Sequence, residues 1–223
     1  KMAWLTTFLN SSIGKKFLMA TTGLLLCVYL IIHLAGNLTL FGGPDFFNSY
    51  VKALSAFKPL VRTIEVILLF IFGGHIINGI RLSLENQKAK TVKYESNRAG
   101  NNSTVSSRTM AITGTVLLVF LITHLSTVWY NFQIEHESDR FFAIITGSRI
   151  GLENTLIAVL YGVAMIILGF HLRHGFQSAF QTFGLRYNRY GKLIEIISVL
   201  FWLIIPAGFL SIVIYFGFME GVK

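Results

Sequence analysis

The chain has 223 residues, 53% of them hydrophobic and only 13% charged, with a mean hydropathy of +0.63. A soluble domain carries about a quarter charged residues, so a water-exposed globule is excluded and a polytopic membrane protein is expected, as one domain over residues 1–223. The net charge of +9 does not point to nucleic acid. Its basic residues sit at the ends of apolar runs, where they set topology and meet lipid headgroups or an acidic partner. A single cysteine, Cys27, leaves no disulfide framework, no cysteine-bound iron–sulfur cluster and no Cys-x-x-Cys-His attachment.

The N-terminal Trp4, Leu5, Phe8 and Leu9 suggest a short helix on the inner membrane surface. The first long apolar run, about Phe17–Leu40, is too long for a signal peptide and has no small-x-small cleavage site after it, so it reads as a span. Asp45–Phe57 places Phe46, Tyr50, Leu54 and Phe57 on one helical face, which predicts a helix lying flat on the outer surface. Four further spans are predicted at about Arg62–Leu82, Thr109–Tyr130, Glu153–Gln177 and Leu193–Phe218. Leu84–Ser107 reads as a solvated loop. Pro206 should kink the fifth span locally, which lipid-embedded helices tolerate.

Lys and Arg distribute unevenly between the two sides. Thirteen of the 19 fall in the N-terminus (Lys1, Lys15, Lys16), the second loop (Arg81, Lys88, Lys90, Lys93, Arg98, Arg108) and the fourth (Arg173, Arg186, Arg189, Lys192). The positive-inside rule therefore places the N-terminus in the cytoplasm.

The sequence also repeats itself. Ala20-Thr-Thr-Gly-Leu-Leu-Leu-Cys-Val-Tyr-Leu-Ile-Ile-His33-Leu34 matches Ala111-Ile-Thr-Gly-Thr-Val-Leu-Leu-Val-Phe-Leu-Ile-Thr-His124-Leu125 at nine of fifteen positions. Gly23 and Gly114 each precede their histidine by ten residues. A weaker match joins Gly73-Gly-His75-Ile-Ile-Asn-Gly79 to Gly169-Phe-His171-Leu-Arg-His-Gly175, both His-x-x-x-Gly. The predicted fold class is all-α: a duplicated two-helix unit with a fifth helix added, and a pseudo-two-fold axis along the membrane normal. That axis relates His33 to His124, and His75 to His171. Depth agrees. His33 lies 17 residues beyond Lys16 and His124 lies 16 beyond Arg108, whereas His75 precedes Arg81 by six. Two histidine layers result, separated by on the order of 15 Å at the helical rise.

Ionisable groups inside a bilayer are costly and mark function by default, and a neutral imidazole is an axial ligand for haem iron. A lone membrane histidine is as often a hydrogen-bonded helix contact. Four, in two layers related by a repeat, argue for two haems held between His33 and His124 (outer) and between His75 and His171 (inner). Gly36, Gly79 and Gly175 would let a flat macrocycle approach, or mark helix packing. A metal-ion transporter would place carboxylates beside such histidines, but none lies between Glu65 and Glu85 or between Glu95 and Glu135. His174 competes with His171 for the fourth position. The His-x-x-x-Gly context shared with His75 favours His171, leaving His174, Arg173 and Arg81 as candidates for the haem propionates. His136, among Glu135, Glu137 and Asp139, reads as a solvated surface residue.

Ser11-Ser-Ile-Gly-Lys-Lys16, Gly23…His33-Leu-Ala-Gly-Asn37 and His171-Leu-Arg-His-Gly-Phe-Gln-Ser-Ala-Phe-Gln-Thr-Phe-Gly184 carry a resemblance over essentially the whole chain. It resembles the diheme cytochrome b membrane anchor of bacterial succinate dehydrogenase and fumarate reductase, in its fused single-subunit, five-helix type. The resemblance implies two b haems, a quinone (usually menaquinone) handled near the outer haem, and a place in the bacterial inner membrane. It also implies flavoprotein and iron–sulfur subunits on the basic cytoplasmic face, with succinate chemistry on the former, and room for homo-oligomers of the complex. Glu65, ten residues outward of His75, is then the candidate proton-handling acid at the quinone site, or a carboxylate stabilised by the dipole of its helix. Other readings are the b-type anchor of another quinone-linked dehydrogenase, or a non-redox transporter.

Overall fold

The computed structural model describes residues 3–88, 105–135, 140–185 and 189–219, and among these there is no strand. A surface helix α1 (Ala3–Asn10) leads into α2 (Ser12–Leu38), which ends in a 3-10 turn at Thr39–Gly42. A short α3 (Pro44–Ala56) joins it to the long α4 (Lys58–Lys88). Helix α5 (Val105–His124) passes through a π turn, Leu125–Trp129, into α6 (Tyr130–Ile134), and α7 (Phe141–Thr146) precedes α8 (Thr155–Thr182). The last long helix, α9 (Gly191–Ile214), also closes in a π turn, Tyr215–Met219.

Five helices are long and apolar enough to cross a membrane: Ser12–Gly42, Lys58–Lys88, Thr109–Ile134, Thr155–Thr182 and Gly191–Met219. The chain is an all-α, multi-pass membrane protein. Most helices overrun the predicted spans at one or both ends, because an apolar count finds the length in hydrocarbon while the helix continues into the headgroups. Thus α4 runs to Lys88, into the stretch read as loop. Residues 89–104 and His136 lie outside the described residues.

The core sits on one side of the bundle, where α8 packs against both α2 and α9. Cys27, Leu34, Ala158, Leu172, Phe176, Ile205, Ile212 and Val213 are all buried there. Pro206 lies within α9, which continues through it. The ring removes the donor that Trp202 O would receive, and α8 approaches that point through Gly169, where a Cβ would stand 3.5 Å from Trp202 O. By contrast, Asn78 is the only buried residue of α4, and α5 has none among its described side chains. Helix α4 leans on α2 and α5 on α8, while α4 and α5 barely touch. The four helices form a square that is tight on its α2–α8 edge and open on its α4–α5 edge.

Surface elements fix the ends. The side chain of Ser11 caps α2, accepting from Gly14 N at 3.0 Å and donating to Phe8 O at 2.6 Å. A Cβ on Gly14 would fall 1.9 Å from Phe8 O, so the Ser-Ser-Ile-Gly stretch is a tight α1–α2 corner. Gly14→Ala should cost about 1–3 kcal/mol in local packing. The check is limited proteolysis in detergent, in which the variant is cut on the N-terminal side of Ser12 faster than the parent. Trp4, on α1, is 70% exposed. On α3 the side turned to the protein carries Phe47 and Asn48, with Asn48 Oδ1 accepting from Phe142 N at 2.8 Å. Of the face picked out by the sequence, Phe46, Leu54 and Phe57 are exposed, whereas Tyr50 is half-buried against Gly36 and Phe47. At the N-terminal end of α2 Lys15, 7% exposed, meets Glu85 at 2.5 Å, and Asn78 Nδ2 donates to Lys15 O at 2.7 Å.

Candidate functional site

The histidines meet across the diagonals of the square. His33 of α2 faces His124 of α5 with ring centres 5.8 Å apart and planes at 85°. His75 of α4 faces His171 of α8 at 6.5 Å and 67°. An imidazole nitrogen binds a metal at about 2.0–2.1 Å, and a ring centre lies about 1.1 Å behind that nitrogen. Two imidazoles on one ion therefore stand about 6.3 Å apart, and the two observed separations bracket this value. All four rings line one cavity of 3510 Å³, several times a ligand pocket of about 300–1,000 Å³. Its walls are mainly apolar helix faces, so the imidazoles are held away from water. The residues present fit a flat, two-coordinate-axis group such as haem at each pair.

Every one of the four rings has a polar atom within 3.5 Å of Nδ1. His75 Nδ1 lies 3.1 Å from Thr22 Oγ1, and His171 Nδ1 lies 3.2 Å from Thr113 Oγ1. His124 Nδ1 is 3.2 Å from the Tyr161 hydroxyl. Tyr161 in turn is 3.3 Å from Thr127 Oγ1, which donates to Thr123 O at 2.8 Å. Since Thr127 spends its proton there, Tyr161 donates to Thr127 and accepts from His124 Nδ1–H. His33 Nδ1 has the Tyr29 hydroxyl at 3.4 Å and the Asn37 amide at 3.5 Å. The Tyr29 ring stacks on His33 as Phe120 stacks on His124, and these aromatic residues occupy one position of the repeat.

The π turn after His124 adds one residue to the local winding, a feature frequent at functional sites. It brings Trp129 Nε1 to Glu65 Oε1 at 3.1 Å. Arg62 pairs with Glu65 Oε2 at 2.7 Å and also donates to Gln133 Oε1. This polar cluster ties α4 to the outer end of α5–α6, and Arg62, Glu65, Trp129 and Gln133 all line the cavity.

His171, rather than His174, faces His75. His174 lines the cavity's inner part. Arg173 lies over the Trp202 ring at 5.4 Å and Arg81 donates to Asn10 at 3.1 Å, and neither is among the cavity-lining residues. Lys16, Gln87 and Gln181 do line that end. Of the glycines, Gly23 and Gly114 stand against imidazoles, with ideal Cβ positions 3.4 Å from His75 Cε1 and 3.6 Å from His171 Cε1. Gly36 serves the Tyr50 contact and Gly79 the Met19 contact, whereas Gly175 meets nothing within 4 Å. Thr22 and Thr113 were visible in the repeat as a shared Thr-Gly but were not singled out. Tyr161 had no signal of its own.

Residues 17–105 match the family model of the succinate dehydrogenase/fumarate reductase transmembrane subunit. That stretch holds most of α2 with all of α3 and α4, and so His33 and His75, one member of each pair. The second repeat unit, with His124 and His171, lies beyond it. No curated protein and no solved structure matches the chain.

Proposed function

We propose that the chain is the membrane anchor and electron-transfer subunit of a succinate:quinone oxidoreductase. It would pass electrons between an iron–sulfur subunit and menaquinone by way of two b haems. The observation that carries this reading is the pair of diagonal imidazole contacts at 5.8 and 6.5 Å. Each Nδ1 is occupied by a polar partner, inside a chain whose first unit matches the family model. His33 and His124 hold the outer haem, and His75 and His171 the inner one. Bound there, haem iron supplies one-electron exchange.

The chain's own residues do the rest. The Thr22, Thr113 and Tyr161 oxygens hold His75, His171 and His124 in the tautomer that presents Nε2. The apolar walls exclude water from both layers. His174 meets haem carboxylates at the inner end, and Arg81 and Arg173, turned to Asn10 and Trp202, would have to leave those contacts to join it. Glu65, on the outer side with Arg62 and Trp129, takes or gives the quinone's proton. Glu65 and Tyr161 each stand ten residues before the inner histidine of their helix. Tyr161 reaches His124, which supports a Glu65 at the level of the outer pair.

The membrane is the bacterial inner membrane, with the N-terminus cytoplasmic. The inner side carries Lys15, Lys16, Lys88, Arg189 and Lys192, a basic face suited to the iron–sulfur and flavoprotein subunits. A reduced-minus-oxidised absorbance spectrum tests the core of the proposal. Bands of haem b, at two per chain, are expected. Their absence from well-folded purified protein would sink it, and the identity of the co-purifying subunits separates this anchor from that of another quinone-linked dehydrogenase.

A further inference from the structure

The inner imidazoles differ from the outer ones in what holds them, and the difference follows the repeat. A threonine hydroxyl has one proton. That of Thr22 goes to its own helix, at 2.7 Å from Leu18 O, with Met19 O at 3.2 Å. That of Thr113 goes to Met110 O at 3.0 Å. Each oxygen then has only lone pairs to offer its histidine, so His75 and His171 must present Nδ1–H to it and keep the Nε2 lone pair for a metal. The tautomer is set by the protein alone. Gly23 and Gly114, next in sequence, lie beside the same imidazole edges, where an added Cβ would stand in ordinary contact. The outer layer has no such matched pair, since His124 is held by Tyr161 and His33 by Tyr29.

We infer that Thr22 and Thr113 are the positioning residues of the inner haem: paired hydroxyl acceptors that orient both axial imidazoles and set that haem's redox potential. The inference rests on the two-haem reading. An acceptor on Nδ1–H makes the ligated imidazole a stronger electron donor, favouring ferric iron. Removing it raises the potential of the inner haem and leaves the outer one alone. Second-shell partners of this kind change metal affinity by roughly 10–100-fold, so partial loss of the inner haem accompanies the shift.

The experiment is a potentiometric titration with EPR of membranes carrying the assembled complex. The chains compared are the parent, Thr22→Val, Thr113→Val and Thr22→Ser. The valine variants should show the inner midpoint shifted positive, the outer midpoint unmoved, and serine restoring the parental value. Thr21 provides the control. Its hydroxyl is buried without a partner, so Thr21→Val should move neither midpoint. If a valine variant does not assemble, Thr22→Ala is titrated in its place, with the same shift expected. Unchanged inner midpoint and EPR signal in a fully loaded Val or Ala variant would overturn the inference, as would an equal shift of both haems. A parent chain with no haem b would instead overturn the reading on which it rests.

Discussion

Replacing His33 or His124 singly with alanine should remove one and the same haem, and replacing His75 or His171 should remove the other. Purified variants would then retain about half the parental haem b, six-coordinate through the remaining pair. The pairing follows from the two ring contacts across the diagonals. A loss that grouped His33 with His75, neighbours in sequence and in one repeat unit, would reject it. His174→Ala is the discriminating control. His174 lines the cavity but His171 carries the Thr113 contact, so the His174 variant should keep both haems. Loss of haem there, with His171 dispensable, would reassign the fourth ligand.

Glu65→Gln should leave the haems in place and cut quinone turnover steeply. Glutamine keeps the shape and one acceptor oxygen, enough for the Trp129 Nε1 bond, and Arg62 keeps its bond to Gln133, while the group loses its charge and the ability to carry a proton. A positioned acid or base contributes on the order of 10²–10⁴-fold, and the drop should fall in that range. It is measured as menaquinone-analogue reduction or oxidation by the assembled complex. Haem reduction from the iron–sulfur side should be preserved. Parental turnover in a variant with both haems would remove Glu65 from the quinone site and leave it as a structural partner of Arg62.

The five helices and the histidine pairs were legible in the sequence because they are carried by local signals: apolar length, and single imidazoles in runs where nothing else is ionisable. The repeat supplied the pairing that spacing alone could not. What escaped needed tertiary packing. A threonine in an apolar helix ordinarily bonds its own backbone. Thr22 and Thr113 do so as well, and only the approach of α4 and α8 shows that the same oxygen serves a histidine. His171 and His174 are about one turn apart, and nothing local separates them. The contact with Thr113 does. Arg81 and Arg173 have side chains long enough to reach several surfaces, and their neighbours Asn10 and Trp202 come from elements remote in sequence. On α3, the exposed and buried faces both carry aromatic residues, so periodicity did not show which one meets the protein.

The Thr–His bonds and the His–His contacts divide the labour between the two repeat units in a telling way. Thr22 and His75 belong to the first unit and Thr113 and His171 to the second, so each unit orients its own inner imidazole. Neither unit can complete a pair, because every facing histidine comes from the other. Two identical copies of a two-helix peptide, related by the same axis, would satisfy both demands. The chain thus carries the interaction logic of a homodimer whose halves are joined by residues 89–104. The two halves differ at the outer layer, where one has Glu65 and the other Tyr161, while the inner layer is symmetric in its Thr–His bonds.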